Sequence, residues 1–325
     1  MAIKCPCCDT DAIFFEDLPR QWILEMLQQL MQDDGVQNCK FGDYRLFQCP
    51  HCKLQFADPM MEPDSNFYNW VTRSADCYPV SRWEWFECRR QLDALRSRFA
   101  RPLLAVLDVG CGSGRFLRLL SEVPGCRAVG LDINLTAVEA CRTSGLEAVH
   151  GDLATILSKI NQQFDAVTLW HVVEHVANPI ELILQANALL ADSGCIYFSV
   201  PLSPLSYEAS WPDPLNGPPH HLTRWQVSSI KALAQRVGMS LELTLPPADS
   251  FAIRVLRSLL LQSASPFADL SRRQKLARLA IFLCRHPWQP FIDGYWQLRR
   301  PQLNDKVLPD VALACLTRTG HTVKQ

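Results

Sequence analysis

A glycine-rich turn carries the clearest chemical signal in the sequence. An apolar run over residues 103–109 precedes the turn, and an amphipathic stretch follows it. The glycines of the turn are Gly110, Gly112 and Gly114, a Gly-x-Gly-x-Gly spacing that differs from the Gly-x-Gly-x-x-Gly of dinucleotide sites. This succession of strand, loop and helix is typical of the first unit of a doubly wound sheet. Because Asp108 adds a carboxylate beside the loop, we expect a positively charged ligand there rather than a pyrophosphate.

Acidic side chains end the next two predicted strands. Asp132 follows an apolar run, 24 positions after Asp108, where an acid can accept both hydroxyls of a bound ribose. Asp152 closes the third apolar segment, where a carboxylate can bind the amino group of adenine. Each acid alone also fits a cap of the helix that follows it. Together, at strand-plus-helix spacing, they predict a nucleoside site along one edge of a parallel sheet.

Two histidine-containing clusters are candidates for removing a proton from an acceptor. A fourth apolar segment, residues 164–170, runs directly into the first cluster, which contains His171, Glu174 and His175. The second cluster is Pro218-Pro219-His220-His221, and it follows a fifth predicted strand at residues 195–200. Both clusters should face one cleft, because the carboxyl ends of parallel strands meet at one edge. We favour His221 as the base. The alternative is a structural role, in which hydrogen bonds of these histidines lock their own turns.

Six of the 14 cysteines lie in the first 52 residues. Two Cys-Pro-x-Cys turns stand out among them, and each can direct two thiolates at one ion. We therefore predict a structural zinc site made of Cys5, Cys8, Cys49 and Cys52. Cys7 could replace Cys5 or Cys8, and Cys39 is a weaker stand-in. A closed site of four thiolates has no open coordination position, so it stabilises the fold and takes no part in catalysis.

The cysteine turns and the residues at the strand ends are predicted to belong to two different structural units. We predict a zinc-ribbon-like domain over residues 1–62 and an α/β domain over residues 63–325. A helical insertion over residues 251–306 should precede the last, reversed strand and form a lid or a homodimer surface. Thr223 and Gln226 resemble a capping box at the start of a helix.

Aromatic residues are concentrated just after the predicted ribbon. They wall the acceptor site or, alternatively, join the ribbon to the main domain: Tyr68, Trp70, Tyr78, Trp83 and Trp85. Ser81 and Glu84 are expected to cap a helix that runs to about residue 99.

Composition narrows the classes of function. The 325 residues include 32 Lys plus Arg and 33 Asp plus Glu, a net charge of −1 that argues against a general attraction to nucleic acid. No apolar run reaches the 18 or so residues that a membrane span needs. The start of the sequence lacks the pattern of a signal peptide, so we expect a cytoplasmic protein with reduced or metal-bound cysteines.

The motifs resemble those of the class I S-adenosylmethionine-dependent methyltransferases. Asp108-Val-Gly-Cys-Gly-Ser-Gly114 looks like their first motif, and Gly130-Leu-Asp132 looks like the second. Gly151-Asp152 and residues 169–176 look like the third and fourth. The cysteine ribbon ending in Cys-x-x-Cys-Lys-Leu-Gln-Phe-Ala-Asp-Pro, with Tyr68 after it, resembles a zinc-ribbon-headed subgroup that methylates small molecules.

The resemblance implies a Rossmann-like, doubly wound sheet of seven strands with the last strand antiparallel. It also implies that S-adenosylmethionine and a structural Zn²⁺ are the cofactors. The cofactor-binding positions that it implies are Asp108, Gly110, Cys111, Gly112, Gly114, Asp132, Ile133, Asp152, Leu153 and Trp170. In ubiquinone-pathway O-methyltransferases the segment like 171–175 carries Glu-x-x-Glu-His and can bind a divalent metal. His171 replaces the first glutamate here, so this metal does not carry over directly.

Three functions compete on this reading. The first is methylation of an oxygen, nitrogen or carbon of a small-molecule acceptor. The second is an RNA or protein methyltransferase that uses the ribbon for recognition, although no aromatic and basic stripe supports binding to nucleic acid. The third is a binding protein without catalytic activity, which the intact glycine loop and Asp132 disfavour.

Overall fold

The computed structural model describes most of the chain in ranges separated by short gaps. These ranges are residues 2–72, 81–99, 104–159, 163–208, 211, 213–247, 249–263, 271–296, 302–303, 306–307 and 309–319. Two positions discussed for the sequence lie outside them, namely Tyr78 and Leu103, the first residue of the predicted strand at 103–109.

The chain alternates strands and helices over most of its length. The strands are β1 (Ile13–Leu18), β2 (Tyr44–Gln48), β3 (Gln55–Asp58), β4 (Leu104–Val109), β5 (Cys126–Asp132), β6 (Ala148–His150), β7 (Phe164–Trp170), β8 (Leu190–Pro201), β9 (Thr223–Arg224), β10 (Met239–Thr244), β11 (Gln302–Leu303), β12 (Lys306–Val307) and β13 (Val311–Arg318). The α-helices are α1 (Arg20–Met31), α2 (Ser65–Val71), α3 (Trp83–Phe99), α4 (Arg115–Ser121), α5 (Leu135–Thr143), α6 (Leu153–Lys159), α7 (Pro179–Ala188), α8 (Val227–Arg236), α9 (Phe251–Ser263), α10 (Arg272–Arg285) and α11 (Gln289–Trp296).

A seven-stranded sheet forms the centre of the larger unit, in the order β10-β13-β8-β7-β4-β5-β6. Strands β8, β7, β4, β5 and β6 are parallel, and β13 runs antiparallel to both of its neighbours. This confirms the Rossmann-like α/β class and the reversed last strand. The apolar runs of β4 and β7 are buried because helices cover both faces of a parallel sheet. The order brings the carboxyl ends of β4, β5 and β7 together.

A second sheet ties the N-terminal unit to the larger one. It contains β1, β2, β3 and β9 in that order, all antiparallel. The fourth strand, β9, comes from the larger unit, and Gln55 and Phe56 of β3 face Arg224 and Thr223 of β9. Ser228 Oγ on α8 also donates to Cys52 O at 2.7 Å. The N-terminal sheet therefore fixes the segment that carries His220 and His221.

The prediction that Thr223 caps a helix is wrong. Thr223 lies in β9, and α8 begins later, with Gln226 as its N-cap in a capping box with Ser229. Pairing with β3 holds residues 223–224 in an extended conformation, which delays the helix by three residues.

Three helices lie between β10 and β13 in the described ranges. Ser258 of α9 donates to Asp293 of α11 at 2.7 Å, and both side chains are buried. Helix α10 has no buried residue. Among the residues described, no helix combines the length and apolarity that crossing a membrane would need.

Candidate cofactor and acceptor site

The glycine loop (residues 110–114) leaves β4 and turns back onto β5. The N–H groups of Gly110 and Cys111 both donate to Leu131 O, at 2.7 and 3.1 Å. All three glycines have left-handed backbone angles, with φ of +71°, +51° and +74° in chain order. Such angles favour glycine because other residues strain there. The loop needs its glycines for its own shape.

The three glycines differ in what a side chain would meet. A Cβ at Gly110 would lie 2.6 Å from Val172 Cγ2, and one at Gly114 would lie 2.6 Å from Leu146 Cδ1. A Cβ at Gly112 would meet no described atom within 4 Å. Gly112 therefore presents bare backbone to open space, the arrangement that lets a ligand approach the main chain closely.

Asp132 lies beside this bare backbone at the end of β5. Its Oδ2 accepts from Gly112 N and its Oδ1 accepts from Asn134 N, both at 2.8 Å. Each carboxylate oxygen keeps a second lone pair for a ligand hydroxyl. Burial raises the pKa of Asp132 above its usual value. Ile133, the next residue, is 64% exposed at the rim of the same edge.

Asp108 is the buried acid of the site. Thr168 Oγ1 on β7 donates to Asp108 Oδ1 at 2.7 Å, and the side chain is 1% exposed. Burial raises its pKa to about 7, against the opposing effect of the Thr168 hydrogen bond. A ligand with positive charge would stabilise the ionised form.

The remaining predicted cofactor residues have different surroundings. Asp152 Oδ1 accepts from Thr155 N and Oγ1, at 2.8 and 2.7 Å, so one carboxylate oxygen caps α6. Leu153 is buried in the main apolar core. Trp170 is buried edge-on against Phe116 with ring centroids 5.0 Å apart, and its Nε1 has no partner among the described residues. Their contacts to a cofactor stay predictions.

His171 lies between two buried carboxylates directly after β7. Its Nδ1 is 3.1 Å from Glu174 Oε1, and its Nε2 is 3.1 Å from Glu84 Oε1 on α3. Burial and Arg82 oppose a charge on His171, but the two carboxylates outweigh them and raise its pKa. The backbone of His171 is left-handed, with φ of +53°, a conformation that costs a non-glycine residue about 1 kcal/mol or more.

This arrangement changes the role expected of His171. Both ring nitrogens are held by carboxylates, so neither is available to take a proton from an acceptor. Glu174, by contrast, has one carboxylate oxygen that is buried and without a partner in the described structure. Sequence reasoning missed Glu84, which lies 87 positions away from His171 and had been assigned to a helix cap. No local pattern in the sequence connects the two residues.

The other three histidines of the two predicted clusters lie together. They are named here the three-histidine cluster: His175, His220 and His221. One ring nitrogen of each lies within 4.8 Å of those of the other two. The N–H groups of Leu222 and Thr223 donate to Glu174 O, at 2.8 and 3.1 Å, which holds the two predicted clusters together. Burial lowers the pKa of all three histidines, so they are neutral near pH 7.

Helix α2 borders both halves of the site. The Tyr68 ring contacts His175 edge-on, with centroids 6.3 Å apart. Asn69 Oδ1 accepts from Asn134 Nδ2 at 3.3 Å, next to Asp132. Trp70 is instead buried in the N-terminal core and donates to Asp33 at 2.8 Å, and Trp85 packs on Phe116. Helix α2 thus contacts two of the histidines predicted to be catalytic, because Phe67 also lies against His220, with ring centroids 5.9 Å apart.

The four predicted zinc ligands come together in the N-terminal unit. The Sγ atoms of Cys5, Cys8, Cys49 and Cys52 all lie within 4.8 Å of one another. The two turns have the same hydrogen bonds. Asp9 N donates to Cys5 O and Lys53 N to Cys49 O, and both donors have left-handed φ, of 62° and 65°.

The chemistry of this cysteine group fits a metal. The hydrogen bond between the Cys5 and Cys52 sulfurs lowers the pKa of Cys5, so one thiolate of the pair forms readily. Burial raises the pKa of Cys7 well above its usual value, and Cys7 is not part of the group. A tetrahedral ion with four sulfur ligands suits such a closed, mostly buried site.

Comparison with known proteins points to one family. A family model described as a methyltransferase domain matches residues 84–243. The ubiquinone biosynthesis O-methyltransferase of Methylococcus capsulatus is 32% identical over 99 residues, which are 29% of this chain and 41% of that protein. The protein of the same name from Xanthomonas campestris pv. campestris is 30% identical over 115 residues, 34% of this chain and 48% of that protein. The chain thus matches less than half the length of these relatives.

Among solved structures, the plantazolicin methyltransferase BamL, in complex with a triazolic desmethylPZN analog and SAH, is 17% identical. The TM-score is 0.48, over 77% of this chain and 90% of that one. A likeness this distant does not inform the chemistry of the site. The match to the methyltransferase domain spans the glycine loop, Asp132 and the three-histidine cluster, so residues 84–243 of this chain are similar to a methyltransferase domain.

Proposed function

We propose that the protein transfers a methyl group from S-adenosylmethionine to a small-molecule acceptor. The observation that carries this proposal is the pairing of Gly112, whose backbone faces open space, with the Asp132 carboxylate hydrogen-bonded to it. A nucleoside that carries a charged amino acid part fits this pairing. A glycine backbone lets such a ligand approach closely, and a carboxylate can accept hydrogen bonds from the ribose hydroxyls.

The residues at the strand ends would divide the cofactor between them. Asp132 would bind the ribose, Asp152 the adenine, and the glycine loop the amino acid part. S-adenosylmethionine, when bound, supplies a methyl group on a positively charged sulfonium. Asp108, buried next to the loop, would stabilise positive charge nearby. The protein then has to hold the acceptor in line and exclude water, which can contribute roughly 7 kcal/mol or more.

The acceptor would lie between α2 and the three-histidine cluster. Tyr68 borders this region, and His175 and His221 are half-buried rather than sealed off. A half-buried group of neutral nitrogens beside an aromatic ring suits a small acceptor that must lose a proton. The names of the two relatives, ubiquinone biosynthesis O-methyltransferase, support oxygen as the methylated atom. We propose this cluster, with His221 included, as the group that handles the acceptor proton.

The structure of the N-terminal unit favours a small acceptor over RNA or protein. Its sheet is completed by β9, so the unit positions the loop of His220 and His221 instead of projecting as a separate arm. We propose that it belongs to the zinc-ribbon-headed subgroup, with Zn²⁺ held by Cys5, Cys8, Cys49 and Cys52 in a structural role. Thiolate ligands need a reducing compartment, in line with the cytoplasm.

The helical insertion is proposed as the surface of a homodimer. Helices α9, α10 and α11 and the turn before α11 expose large apolar side chains, among them Leu276 of α10 at 57% and Trp288 of the turn at 72%. Exposed apolar groups on adjacent helices are typical of an interaction surface.

Transfer of a labelled methyl group tests the proposal. The protein would be incubated with S-adenosylmethionine carrying a tritiated methyl group and, in parallel, with a set of phenols and amines, total RNA, or a protein extract. We expect label in the small-molecule arm, and loss of that label with Asp132→Ala. Label in the RNA or protein arm alone would replace the small-molecule proposal with the second function. Cofactor binding without transfer to any arm would favour a protein without catalytic activity.

A further inference from the structure

The three-histidine cluster has the donor set of a metal site. His175 comes from the turn after β7, and His220 and His221 come from the loop before β9. One ring nitrogen of each lies within 4.8 Å of the others, and the ring centroids are 4.5 to 4.8 Å apart. Three imidazole nitrogens on a tetrahedral ion with bonds of about 2.0–2.1 Å are about 3.3 Å apart, so small rotations of the rings would close the site.

Hydrogen bonds fix which nitrogen of each ring is available. His175 Nδ1 contacts His220 O at 2.6 Å, and His220 Nδ1 contacts Leu215 O at 3.1 Å. His221 Nδ1 contacts the side-chain oxygen of Asn216 at 3.1 Å. Because these oxygens only accept hydrogen bonds, each Nδ1 must carry the proton and each Nε2 presents its lone pair.

This tautomer is the one that metal-binding histidines adopt when an oxygen holds the other ring nitrogen. His220 Nε2 supplies an independent sign of a missing partner. It is buried and has no hydrogen-bond partner among the described residues. An unpartnered buried nitrogen is costly, by about 1–3 kcal/mol, unless something binds to it.

We propose that His175, His220 and His221 bind a divalent cation that prefers nitrogen ligands, with Zn²⁺ as the first candidate. Three neutral imidazoles suit Zn²⁺, Co²⁺ or Fe²⁺ and disfavour Mg²⁺ and Ca²⁺, which prefer oxygen. The site is distinct from the four-cysteine group in ligands and position. It also differs from a Glu-x-x-Glu-His site, because two of its three ligands come from the loop before β9.

The site would leave at least one coordination position open. Three protein ligands on Zn²⁺ are typical of catalytic sites, where the fourth position takes water or a substrate oxygen. Building on the proposed methyl transfer, the ion would bind an acceptor hydroxyl through its oxygen and lower the pKa of that hydroxyl. The three imidazoles would then act on the proton through the ion, and the proton itself would pass to solvent. The acceptor oxygen would form a bond to the methyl carbon as the bond from that carbon to sulfur breaks and S-adenosylhomocysteine leaves. The acceptor class is then a phenol or enol. Tyr68, against His175, would border that acceptor.

Cobalt titration tests the metal site without using activity. Protein freed of metal by a chelator would be titrated with Co²⁺ and followed by absorption. Binding at the four cysteines produces a thiolate-to-cobalt charge-transfer band, and binding at histidines does not. We expect two equivalents per chain, one of each kind. His175→Gln and His221→Gln should lose only the equivalent without thiolate character, whereas His286→Gln, outside the cluster, should keep both.

Two outcomes would overturn the proposal. In the first, wild-type protein binds cobalt only at the cysteines, so that all bound cobalt shows the thiolate band. In the second, both His175→Gln and His221→Gln still bind the second equivalent of cobalt. The thiolate band reports in each sample that the protein is folded, so failure to fold is not mistaken for loss of the site. Catechol added to the cobalt-loaded protein should shift the bands of the histidine site, and an unchanged spectrum would contradict the open position. Calorimetry with S-adenosylmethionine on the same samples tests the proposed transferase separately.

Discussion

The substitution Gly112→Ala tests whether the cofactor lies against the glycine loop, apart from any effect on the conformation of the loop itself. The new methyl group meets no described atom within 4 Å, so it creates no clash inside the protein. The backbone cost of a left-handed residue at φ of +51° is about 1–2 kcal/mol. If a cofactor lies against Gly112, the same methyl group also overlaps the ligand. Overpacking of this kind costs about 1–3 kcal/mol, which weakens binding roughly 5- to 150-fold.

Gly238→Ala is the matched control. Gly238 has φ of +69°, its added Cβ also meets no described atom within 4 Å, and it lies between α8 and β10, away from the loop. Both variants should lower the free energy of unfolding by about 1–2 kcal/mol, measured by urea denaturation. Calorimetric titration with S-adenosylmethionine should show weaker binding for Gly112→Ala alone. Equal affinities in the two variants would refute the placement of the cofactor against Gly112.

The other predictions concern a buried acid, the cysteine group and the insertion. The pKa of Asp108 is raised by burial from 3.8 to about 7 in the folded protein, so the folded state holds the proton more tightly and stability falls as pH rises from about 4 to 7. The free energy of unfolding of Asp108→Asn, relative to that of wild type, should therefore rise by up to about 4 kcal/mol between pH 4 and 7. A difference between the two proteins that does not change with pH would contradict the raised pKa of Asp108. Cys49→Ser should lose the zinc of the N-terminal unit and melt at lower temperature, whereas Cys39→Ser, buried outside the group, should keep the metal; equal zinc content in the two would count against the site. Wild-type protein should sediment as a dimer and Trp288→Asp as a monomer, and a monomeric wild type would exclude the insertion as a dimer surface.

Local patterns in the sequence predicted the central sheet well. The alternation of apolar runs and amphipathic stretches gave the strands β4 to β8, and the Gly-x-Gly-x-Gly turn located the loop after β4. These features depend on neighbours in the chain, so the sequence displays them directly. The paired turns of Cys5-to-Cys8 and Cys49-to-Cys52 are readable for the same reason, since each is complete within four residues.

Contacts between distant segments could not be predicted in this way. Glu84 was expected to cap its own helix, yet its carboxylate contacts His171, and no local spacing reports that pairing. Thr223 resembles a helix cap, but pairing of β9 with β3 overrides the local preference. Hydrogen bonds from Leu222 N and Thr223 N to Glu174 O hold the same segment on the turn after β7, and His220 and His221 thereby join His175. Tertiary contacts decided each of these outcomes.

The proposed function requires that the protein bind S-adenosylmethionine at the carboxyl ends of β4 and β5. Isothermal titration of wild-type protein and of Asp132→Ala with S-adenosylmethionine tests it most directly. We predict one molecule of cofactor per chain for wild type, and an affinity at least about 100-fold lower for the variant, a loss of about 2.7 kcal/mol. Absence of binding to wild type, or equal affinity in the two proteins, would contradict the assigned site.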